Sequence, residues 1–238
     1  MEETLLVIVA ARNEADRIGA TLDALAAALP GAELWVADDA SEDRTSEVAL
    51  THGAQVVSRG RPHGKGANMT AAAEAALGGV GGAGADRGSE AASVPAGTVL
   101  LCDGDLGASA GALRGLVDAV DRGECDLAIA AFRDRVGGGF GVALRFARWA
   151  IRSRCGYRAG APISGQRAMR VEVLRATLPF AAGYGMEVGM TIDAVRAGHR
   201  VVELELDLEH RATGRTVRDF LHRARQLRDF AGVWWSRR

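Results

Sequence analysis

The first part of the chain alternates between unbroken apolar runs and stretches with helical periodicity. Residues 5–11 are apolar without interruption, which predicts a strand buried on both faces of a sheet. The stretch that follows carries apolar side chains at helical spacing, namely Ile18, Leu22, Leu25 and Leu29. Pro30 and Gly31 predict the end of that helix, and Asn13 is a candidate for its N-cap.

The same alternation continues along the chain. Further strands are predicted at 34–37, 55–57, 99–102, 126–132 and 201–208. Two further helices are predicted at 67–77 and 110–120, and three others are predicted to end at about residues 50, 154 and 197. Such alternation predicts a doubly wound α/β sheet in a single domain. Acidic and apolar residues alternate in 201–208, which predicts a half-exposed strand. The last helix, from about Thr216, aligns Phe220, Ala224, Leu227, Ala231 and Trp234. Residues 78–97 and 137–141 are rich in glycine and predict loops.

One predicted strand ends in two carboxylates separated by a glycine, Asp103-Gly104-Asp105. Ligands of an open parallel sheet bind beyond the carboxyl ends of its strands. Two acidic side chains at that place provide hard oxygen ligands for a divalent cation. An Asp-Gly turn has the same composition without binding anything, so this stretch alone leaves both interpretations open.

Polar residues also follow the neighbouring strands. Their positions are Asn13 and Glu14, Asp38 and Asp39, Lys65, and Asp103 and Asp105. Each alone is typical of a cap or a turn, but four such groups at one sheet edge favour a nucleotide site. Lys65 lies in a glycine-rich loop that opens a helix, where backbone N–H groups favour phosphate. His210 directly follows a strand, and a metal at Asp105 would give it a partner.

Two other patterns carry no function here. Residues 79–84 fit G-x-G-x-x-G, but they follow a helix, whereas a dinucleotide-binding fingerprint follows a strand and opens a helix. Residues 107–111 fit Gly-x-Ser-x-Gly, but Ser109 comes seven residues after the predicted strand at 99–102, whereas the serine of a hydrolase elbow lies on the sharp turn between strand and helix.

The bulk composition is that of a globular protein and narrows the range of partners. Of 238 residues, 48% are hydrophobic and 25% charged, and the formal net charge is -1. This balance gives no overall attraction to nucleic acid. No apolar run approaches the roughly 18 residues of a membrane-spanning helix. Three cysteines (Cys102, Cys125 and Cys155) lack zinc or disulfide spacing, and the chain starts with acidic residues. We therefore expect a cytoplasmic protein with reduced, mostly buried cysteines.

The order of the motifs resembles the nucleotide-sugar glycosyltransferases of the GT-A fold over nearly the whole chain. Residues 9–14 and 36–45 are similar to the first two strand motifs of family-2-like enzymes, and Asp103-Gly104-Asp105 is similar to their metal-binding D-x-D. Residues 64–66, 183–189 and 209–211 further resemble glucosyl-3-phosphoglycerate synthases. The resemblance implies a Rossmann-like mixed sheet with flanking helices. It also implies a nucleotide-binding half at about 1–106, an acceptor half at about 107–215 and a C-terminal helix at 216–238.

The resemblance implies a role for each motif. Ala11, Asn13 and Glu14 would line the base pocket, with Asp38 or Asp39 and Ser41 near the nucleoside. Lys65 would contact the diphosphate, Asp103 the ribose or the metal, and Asp105 and His210 the metal, which would be Mg²⁺ or Mn²⁺. Asp105 and Glu187 would be the catalytic residues, with Glu187 beside the sugar or the acceptor. The implied substrates are a nucleotide-sugar donor, with uridine expected rather than guanosine, and a hydroxyl or phosphate acceptor that is small or lipid-linked.

The sequence leaves several alternatives open. The phosphoglycerate enzymes carry Arg and Thr for the acceptor phosphate in a glycine loop, whereas residues 137–142 here contain neither; Arg145, Arg148 and Arg167 are the candidate substitutes. The narrower resemblance implies retention at the anomeric carbon, and the general one implies inversion. The basic C-terminal helix with Trp234 and Trp235 fits a polyprenyl-phosphate transferase with peripheral membrane contact, or packing on the sheet or in a homodimer. Two rivals fit less well: a sugar nucleotidyltransferase needs a glycine in residues 10–16, and a non-catalytic sensor has less need of a complete metal site.

Overall fold

A seven-stranded mixed sheet forms the centre of the molecule. The computed structural model describes residues 4–78, 96–132, 141–208 and 217–238, without the side chains of 96, 132 and 217–225. The strands are β1 (Thr4–Ala11), β2 (Glu33–Asp38), β3 (Gln55–Ser58), β4 (Ala96–Asp103), β5 (Leu127–Phe132), β6 (Arg167–Arg170) and β7 (Val201–Leu206). The helices are α1 (Ile18–Ala28), α2 (Thr45–Thr51), α3 (Lys65–Gly78), α4 (Arg114–Asp121), α5 (Gly141–Cys155), α6 (Val171–Thr177), α7 (Met186–Arg196) and α8 (Val217–Ser236). Short 3₁₀ helices at Gly107–Leu113 and Gly183–Gly185 precede α4 and α7.

The strand order is β3-β2-β1-β4-β6-β5-β7. β1 pairs in parallel with β2 and β4, β2 with β3, and β5 with β7. β6 runs antiparallel to both of its neighbours. The carboxyl ends of β1, β2 and β4 therefore meet at one edge of the sheet. The predicted doubly wound mixed α/β sheet is confirmed.

Helices cover both faces of the sheet, as the apolar runs predict. Val7 and Val9 of β1 pack with α1, the first 3₁₀ helix and α4 on one face. Leu6 and Ile8 alternate with them and pack with α3, α6 and α7 on the other face. A third apolar cluster joins α5, α7 and α8, and its central side chain is the fully buried Phe230.

Two details of the helices differ from the prediction. Asn13 does not cap α1, because the N-cap position is Arg17 and no side chain bonds to the first turn. In α8 the structure buries Gln226, Phe230 and Val233 and exposes Ala231. The buried stripe thus lies about one position away from the predicted one, because Val233 packs against the 3₁₀ segment at Gly185, a contact that periodicity alone does not contain.

β7 is the outermost described strand on its side of the sheet. Val202, Leu204 and Leu206 pack against the core, while Glu203 and Glu205 lie on the opposite face. The half-exposed strand is confirmed. Among the helices of the described ranges, none combines the length and the apolar character needed to cross a bilayer. Most of the two predicted glycine-rich loops lies outside the described residues.

Candidate functional site

The strand register brings the predicted site residues to one edge. Ala11 at the end of β1 pairs with Asp38 at the end of β2, and Ala10 pairs with Asp103 at the end of β4. The backbone N–H of Gly104 donates to the carbonyl of Ala10 at 2.9 Å, which extends the β1–β4 contact past the last ladder pair.

A cleft of about 460 Å³ opens at this edge. Six of the predicted site residues line it: Ala11, Glu14, Asp39, Lys65, Asp103 and Asp105. The lining also includes Tyr184 of the 183–189 motif, and residues to which the sequence assigned no role, among them Asn68, Ile163, Ser164 and Gln166. Asn13, Asp38, Ser41 and Glu187 lie around it without forming its described wall.

A lysine between two carboxylates forms the polar floor of the cleft. Lys65 Nζ lies 2.6 Å from Asp103 Oδ1 and 2.9 Å from Glu187 Oε1. Gln166 Nε2 donates to the other oxygen of Asp103 at 2.7 Å. Burial alone would lower the pKa of Lys65, but the charges and hydrogen bonds of Asp103 and Glu187 outweigh it and raise this pKa above its ordinary value. Lys65 is therefore a fixed cation at neutral pH.

Helix positions explain how these three groups meet. α3 begins at Lys65, two residues earlier than predicted, and α7 carries Glu187 in its first turn. Glycine is required where the segments cross. A Cβ on Gly165 would lie 2.6 Å from Lys65 Nζ, and one on Gly66 would lie 2.0 Å from the carbonyl oxygen of Ala181.

The loop after β1 is held by the loop after β2. The N–H of Asn13 donates to Ser41 Oγ at 2.9 Å, and Asn13 Oδ1 accepts from the N–H of Glu42 at 2.8 Å. The N–H of Glu14 donates to Thr45 Oγ1 at 2.9 Å. Asn13 has φ of 56°, a left-handed conformation that Asn tolerates better than most residues. Asn13 and Ser41 thus shape one end of the cleft.

Asp38 and Asp39 have different surroundings. Asp38 is buried and accepts hydrogen bonds from the hydroxyl groups of Ser41 and Ser46. Asp39 faces the cleft and accepts from the backbone N–H groups of His63 and Gly64, at 2.7 and 3.1 Å. Asp38 therefore supports the loop that carries Ser41, and Asp39 fixes the glycine-rich loop in front of α3.

Asp105 presents its carboxylate at the cleft. Its carbonyl oxygen accepts from Arg17 Nη1 at 3.1 Å, while its carboxylate has no hydrogen-bond partner in the described part of the chain. The predicted third metal ligand, His210, lies outside the described residues. Within those residues, no group of three or more His, Cys, Asp or Glu side chains is arranged to hold a metal ion.

The structure adds one residue to the site and changes the place of another. Gln166 was visible only as part of a loop before a strand, and no local signal indicates that its amide reaches Asp103. Arg167, one of the candidate acceptor-binding arginines, is fully buried and donates to the Ser164 carbonyl and to Thr191 Oγ1, both at 2.9 Å. Desolvation lowers the pKa of Arg167 to about 10 despite the charges of Glu187 and Glu203. Arg167 supports the cleft wall from behind and is not available to an acceptor.

Comparison with known proteins assigns the family. The sequence model of glycosyl transferase family 2 matches residues 6–177, which is more than half of the chain. The chain belongs to glycosyl transferase family 2. An uncharacterized glycosyltransferase of Mycobacterium tuberculosis is 30% identical over 219 residues, covering 90% of this chain and 89% of the relative. The protein is therefore a glycosyltransferase.

Solved structures agree with this assignment. The glucosyl-3-phosphoglycerate synthase of M. tuberculosis in complex with phosphoglyceric acid matches with a TM-score of 0.75 and 27% identity, covering 99% of this chain and 80% of that chain. The same synthase in complex with Mn²⁺, UDP-glucose and glycerol 3-phosphate matches with a TM-score of 0.72, 27% identity and the same coverage. The GT-A-like fold of this family-2 chain is thus confirmed.

Proposed function

We propose that this family-2 glycosyltransferase transfers a hexose from a UDP-sugar to a hydroxyl of a phosphate-bearing acceptor, with the help of a divalent metal. The observation that carries the proposal is the cluster of Lys65, Asp103 and Glu187, in which Lys65 and Asp103 line the cleft beside Asp105, whose carboxylate has no partner among the described residues. Support comes from the similar synthase, which has been solved with Mn²⁺ and UDP-glucose.

In this proposal the donor lies along the carboxyl ends of β1, β2 and β4. The uracil base occupies the end formed by Ala11, Asn13 and Glu14, and the ribose lies near Asp39 or Asp103. The diphosphate lies at Lys65, where the first turn of α3 adds the positive end of a helix dipole. The donor-binding part is then the half at about 1–106, and the acceptor binds to the half at about 107–215.

The donor set fits a divalent cation such as Mg²⁺ or Mn²⁺. Asp105 offers a carboxylate that meets no competing partner in the described ranges, and Asp103 offers a second, whose present partners are Lys65 and Gln166. Hard oxygen ligands of this kind suit these cations, and we propose His210 as the third ligand. A bound cation would neutralise the negative charge that develops on the departing diphosphate.

Lys65 and Glu187 carry the proposed chemistry of the chain itself. When the bond from the anomeric carbon to the diphosphate breaks, its electron pair stays on the diphosphate oxygen, and the Lys65 ammonium stabilises that charge. Glu187 is 8% exposed at its side chain and faces the same cation. It orients the acceptor hydroxyl or stabilises the oxocarbenium-like anomeric carbon. Lys65 uses two of its three ammonium N–H groups on Asp103 and Glu187, which leaves the third for a phosphate oxygen of the donor.

The acceptor side is formed by residues 160–166 and Tyr184. Two of the three candidate arginines are bonded to this wall. Arg167 is fully buried behind it, whereas Arg148 is only partly buried, and its Nη2 donates to the carbonyl of Gly160 at 2.7 Å. We propose that Arg148 binds the acceptor phosphate, in place of the Arg and Thr that the glycine-rich loop at 137–142 lacks. The phosphoglyceric acid and glycerol 3-phosphate complexes of the similar synthase support a phosphate-bearing acceptor. The narrower resemblance implies retention, so a product with inverted configuration by NMR would remove that part of the proposal.

A thermal-shift panel tests the donor site. UDP- and GDP-sugars are added with Mn²⁺ or Mg²⁺ to the wild-type chain, to Asp105→Ala and to the matched surface control Asp118→Ala. A ligand that binds only the native state raises Tm by mass action, by about 2.7 kcal/mol of stabilisation at a hundredfold excess over Kd. We expect a metal-dependent shift with UDP-sugars that Asp105→Ala loses and Asp118→Ala keeps. The absence of a shift with every nucleotide and metal would refute the donor site.

A further inference from the structure

Helix α5 presents large apolar side chains to solvent. Val142 is 71% exposed and Trp149 is 49% exposed, two turns apart on one side of the helix. Trp149 stacks on Trp234 of α8 with ring centroids 5.2 Å apart. Val142, Arg145, Trp149 and Arg152 share one side of α5 by their spacing, and Trp235 and Arg238 lie at the end of α8 beside the Trp149–Trp234 contact. These six residues are called here the aromatic–basic face.

The exposure of these side chains is concentrated rather than scattered. The side chain of Trp235 is 62% exposed. In the described ranges four large hydrophobic residues are exposed, and three of them are Val142, Trp149 and Trp235. The remaining one, Leu50, lies by itself on α2. Single exposed apolar residues need no explanation, but a contiguous patch marks an interaction site.

The same face carries uncompensated positive charge, although the whole chain has a net charge of -1. α5 contains four arginines and no acidic residue. Arg145 and Arg152 have no ion-pair or hydrogen-bond partner among the described residues. Desolvation and the guanidinium groups of Arg196 and Arg238 lower the pKa of Arg154, as expected where cations are crowded.

We propose that the aromatic–basic face docks this protein on an anionic lipid surface. Tryptophan side chains favour the boundary between lipid headgroups and hydrocarbon, and arginines are attracted to anionic headgroups. A helix that is apolar and cationic on one side lies in such an interface. Helix α5 combines both properties on one side, through Val142 and Trp149 on the one hand and Arg145 and Arg152 on the other.

Two other occupants fit the same face less well. A second copy of the chain would meet it across a two-fold axis, which would place the unpaired Arg145 and Arg152 of one protomer near those of its partner. Single-stranded nucleic acid needs free aromatic faces on which bases stack. Here Arg238 covers the ring of Trp235 with its guanidinium carbon 3.0 Å from the centroid, and Trp234 covers one side of Trp149.

Helix α8 also reaches the wall of the cleft. The backbone N–H of Tyr184, at the cleft wall, donates to Asp229 Oδ2 of α8 at 3.3 Å. Trp234 follows Asp229 by five residues, which is about 8 Å along a helix. The docking itself goes beyond the proposed function and does not depend on it.

Vesicle flotation tests the proposal directly. The full chain is mixed with vesicles of phosphatidylcholine alone or of phosphatidylcholine with phosphatidylglycerol, at low and high salt. Arg145→Gln with Arg152→Gln removes the charge, and Val142→Ser with Trp235→Ser removes the apolar contact. Arg44→Gln with Arg122→Gln makes the same charge change on other exposed arginines, and Leu50→Ser is the apolar control. Circular dichroism checks that each variant is folded.

We expect salt-sensitive binding to the anionic vesicles only, with a blue shift of tryptophan emission. Each arginine near an anionic surface contributes about fivefold to partitioning, so the charge variant should bind roughly 25-fold more weakly. Both controls should bind like the wild type. The proposal is overturned if the wild type ignores anionic vesicles or if the controls lose as much binding as the face variants. It is also overturned if sedimentation shows that this face pairs two copies, or if oligonucleotide binding depends on the same residues. Nucleotide-sugar binding, measured without vesicles, is unaffected by any of these outcomes.

Discussion

Replacing Lys65 with methionine would remove the cation that faces both Asp103 and Glu187. The two ion pairs differ in burial. The Asp103 side chain is 34% exposed, which resembles a surface pair worth about 0.2–1 kcal/mol. The Glu187 side chain is 8% exposed, and breaking a buried pair costs roughly 3–5 kcal/mol because a charge is left without compensation. Since the Lys65 side chain itself is 28% exposed, we expect the lower end of that range. Lys65→Met should then lower the free energy of unfolding by about 3 kcal/mol in total.

A double-mutant cycle separates the two carboxylates. Adding Glu187→Gln to Lys65→Met should recover most of the lost free energy of unfolding, because the uncompensated buried charge is gone. Adding Asp103→Asn should recover less than about 1 kcal/mol, because Asp103 is more exposed and keeps the Gln166 amide. Urea unfolding followed by circular dichroism measures each step, with the m-value as the check on two-state behaviour.

A surface pair supplies the control. Arg44→Met breaks the exposed pair with Glu47, which lies outside the cleft, and should cost less than about 1 kcal/mol. The reasoning from burial would be refuted if Asp103→Asn rescued Lys65→Met better than Glu187→Gln does. It would equally be refuted if Lys65→Met cost no more than Arg44→Met.

Two further predictions concern stability. Gly66→Ala should lower the free energy of unfolding by roughly 1–3 kcal/mol, because the added Cβ would collide with the Ala181 carbonyl. Gly78→Ala on the same helix is the control: its Cβ contacts no described atom within 4 Å, so thermal unfolding should show a neutral or slightly stabilising effect. Hydrogen bonds from Arg200 hold the pKa of Asp126 in the folded protein below its usual range. At a pH above the unfolded pKa of about 3.9, the ionised carboxylate therefore stabilises the fold, and this stabilisation is lost as the pH falls through the lower pKa of the folded state. Asp126→Asn should therefore cost about 1–2 kcal/mol at pH 7 and progressively less as the pH is lowered; a cost that does not change with pH down to the acid unfolding transition would contradict the linkage.

The sequence predicts the sheet well where burial is continuous. The unbroken apolar run at 5–11 is enough to predict a strand buried on both faces, because such a strand has no solvent-facing positions for polar residues. The order of strands and the antiparallel direction of β6 are different, since they depend on which segments meet in space. Helix α6 was not predicted either, because seven residues with two valines carry no clear helical period.

The candidate site was predictable as a set of strand ends but not as a network. Asp103, Asp105 and Lys65 stand out because polar residues interrupt apolar runs at those points. The contact between Lys65 and Glu187 joins residues 122 positions apart, and the Gln166 amide reaches Asp103 across 63 positions. Such contacts are properties of the folded chain. The burial of Arg167 is another such property. From its charge alone, an arginine is expected at the surface, but its hydrogen bonds to a backbone carbonyl and to a hydroxyl group hold it in the interior.

The two outer strands of the described sheet also bear on how the protein behaves at high concentration. A sheet edge offers unpaired N–H and C=O groups to a strand of another molecule, and this is a route to aggregation. Along β7, exposed Glu205 would face like charge if two copies met edge to edge. At the opposite edge β3 is only four residues long, with exposed Gln55 and Ser58 at its ends. In the folded protein the long apolar strands β1 and β4 are thus kept away from intermolecular pairing, so aggregation should begin from unfolded chains rather than from native ones.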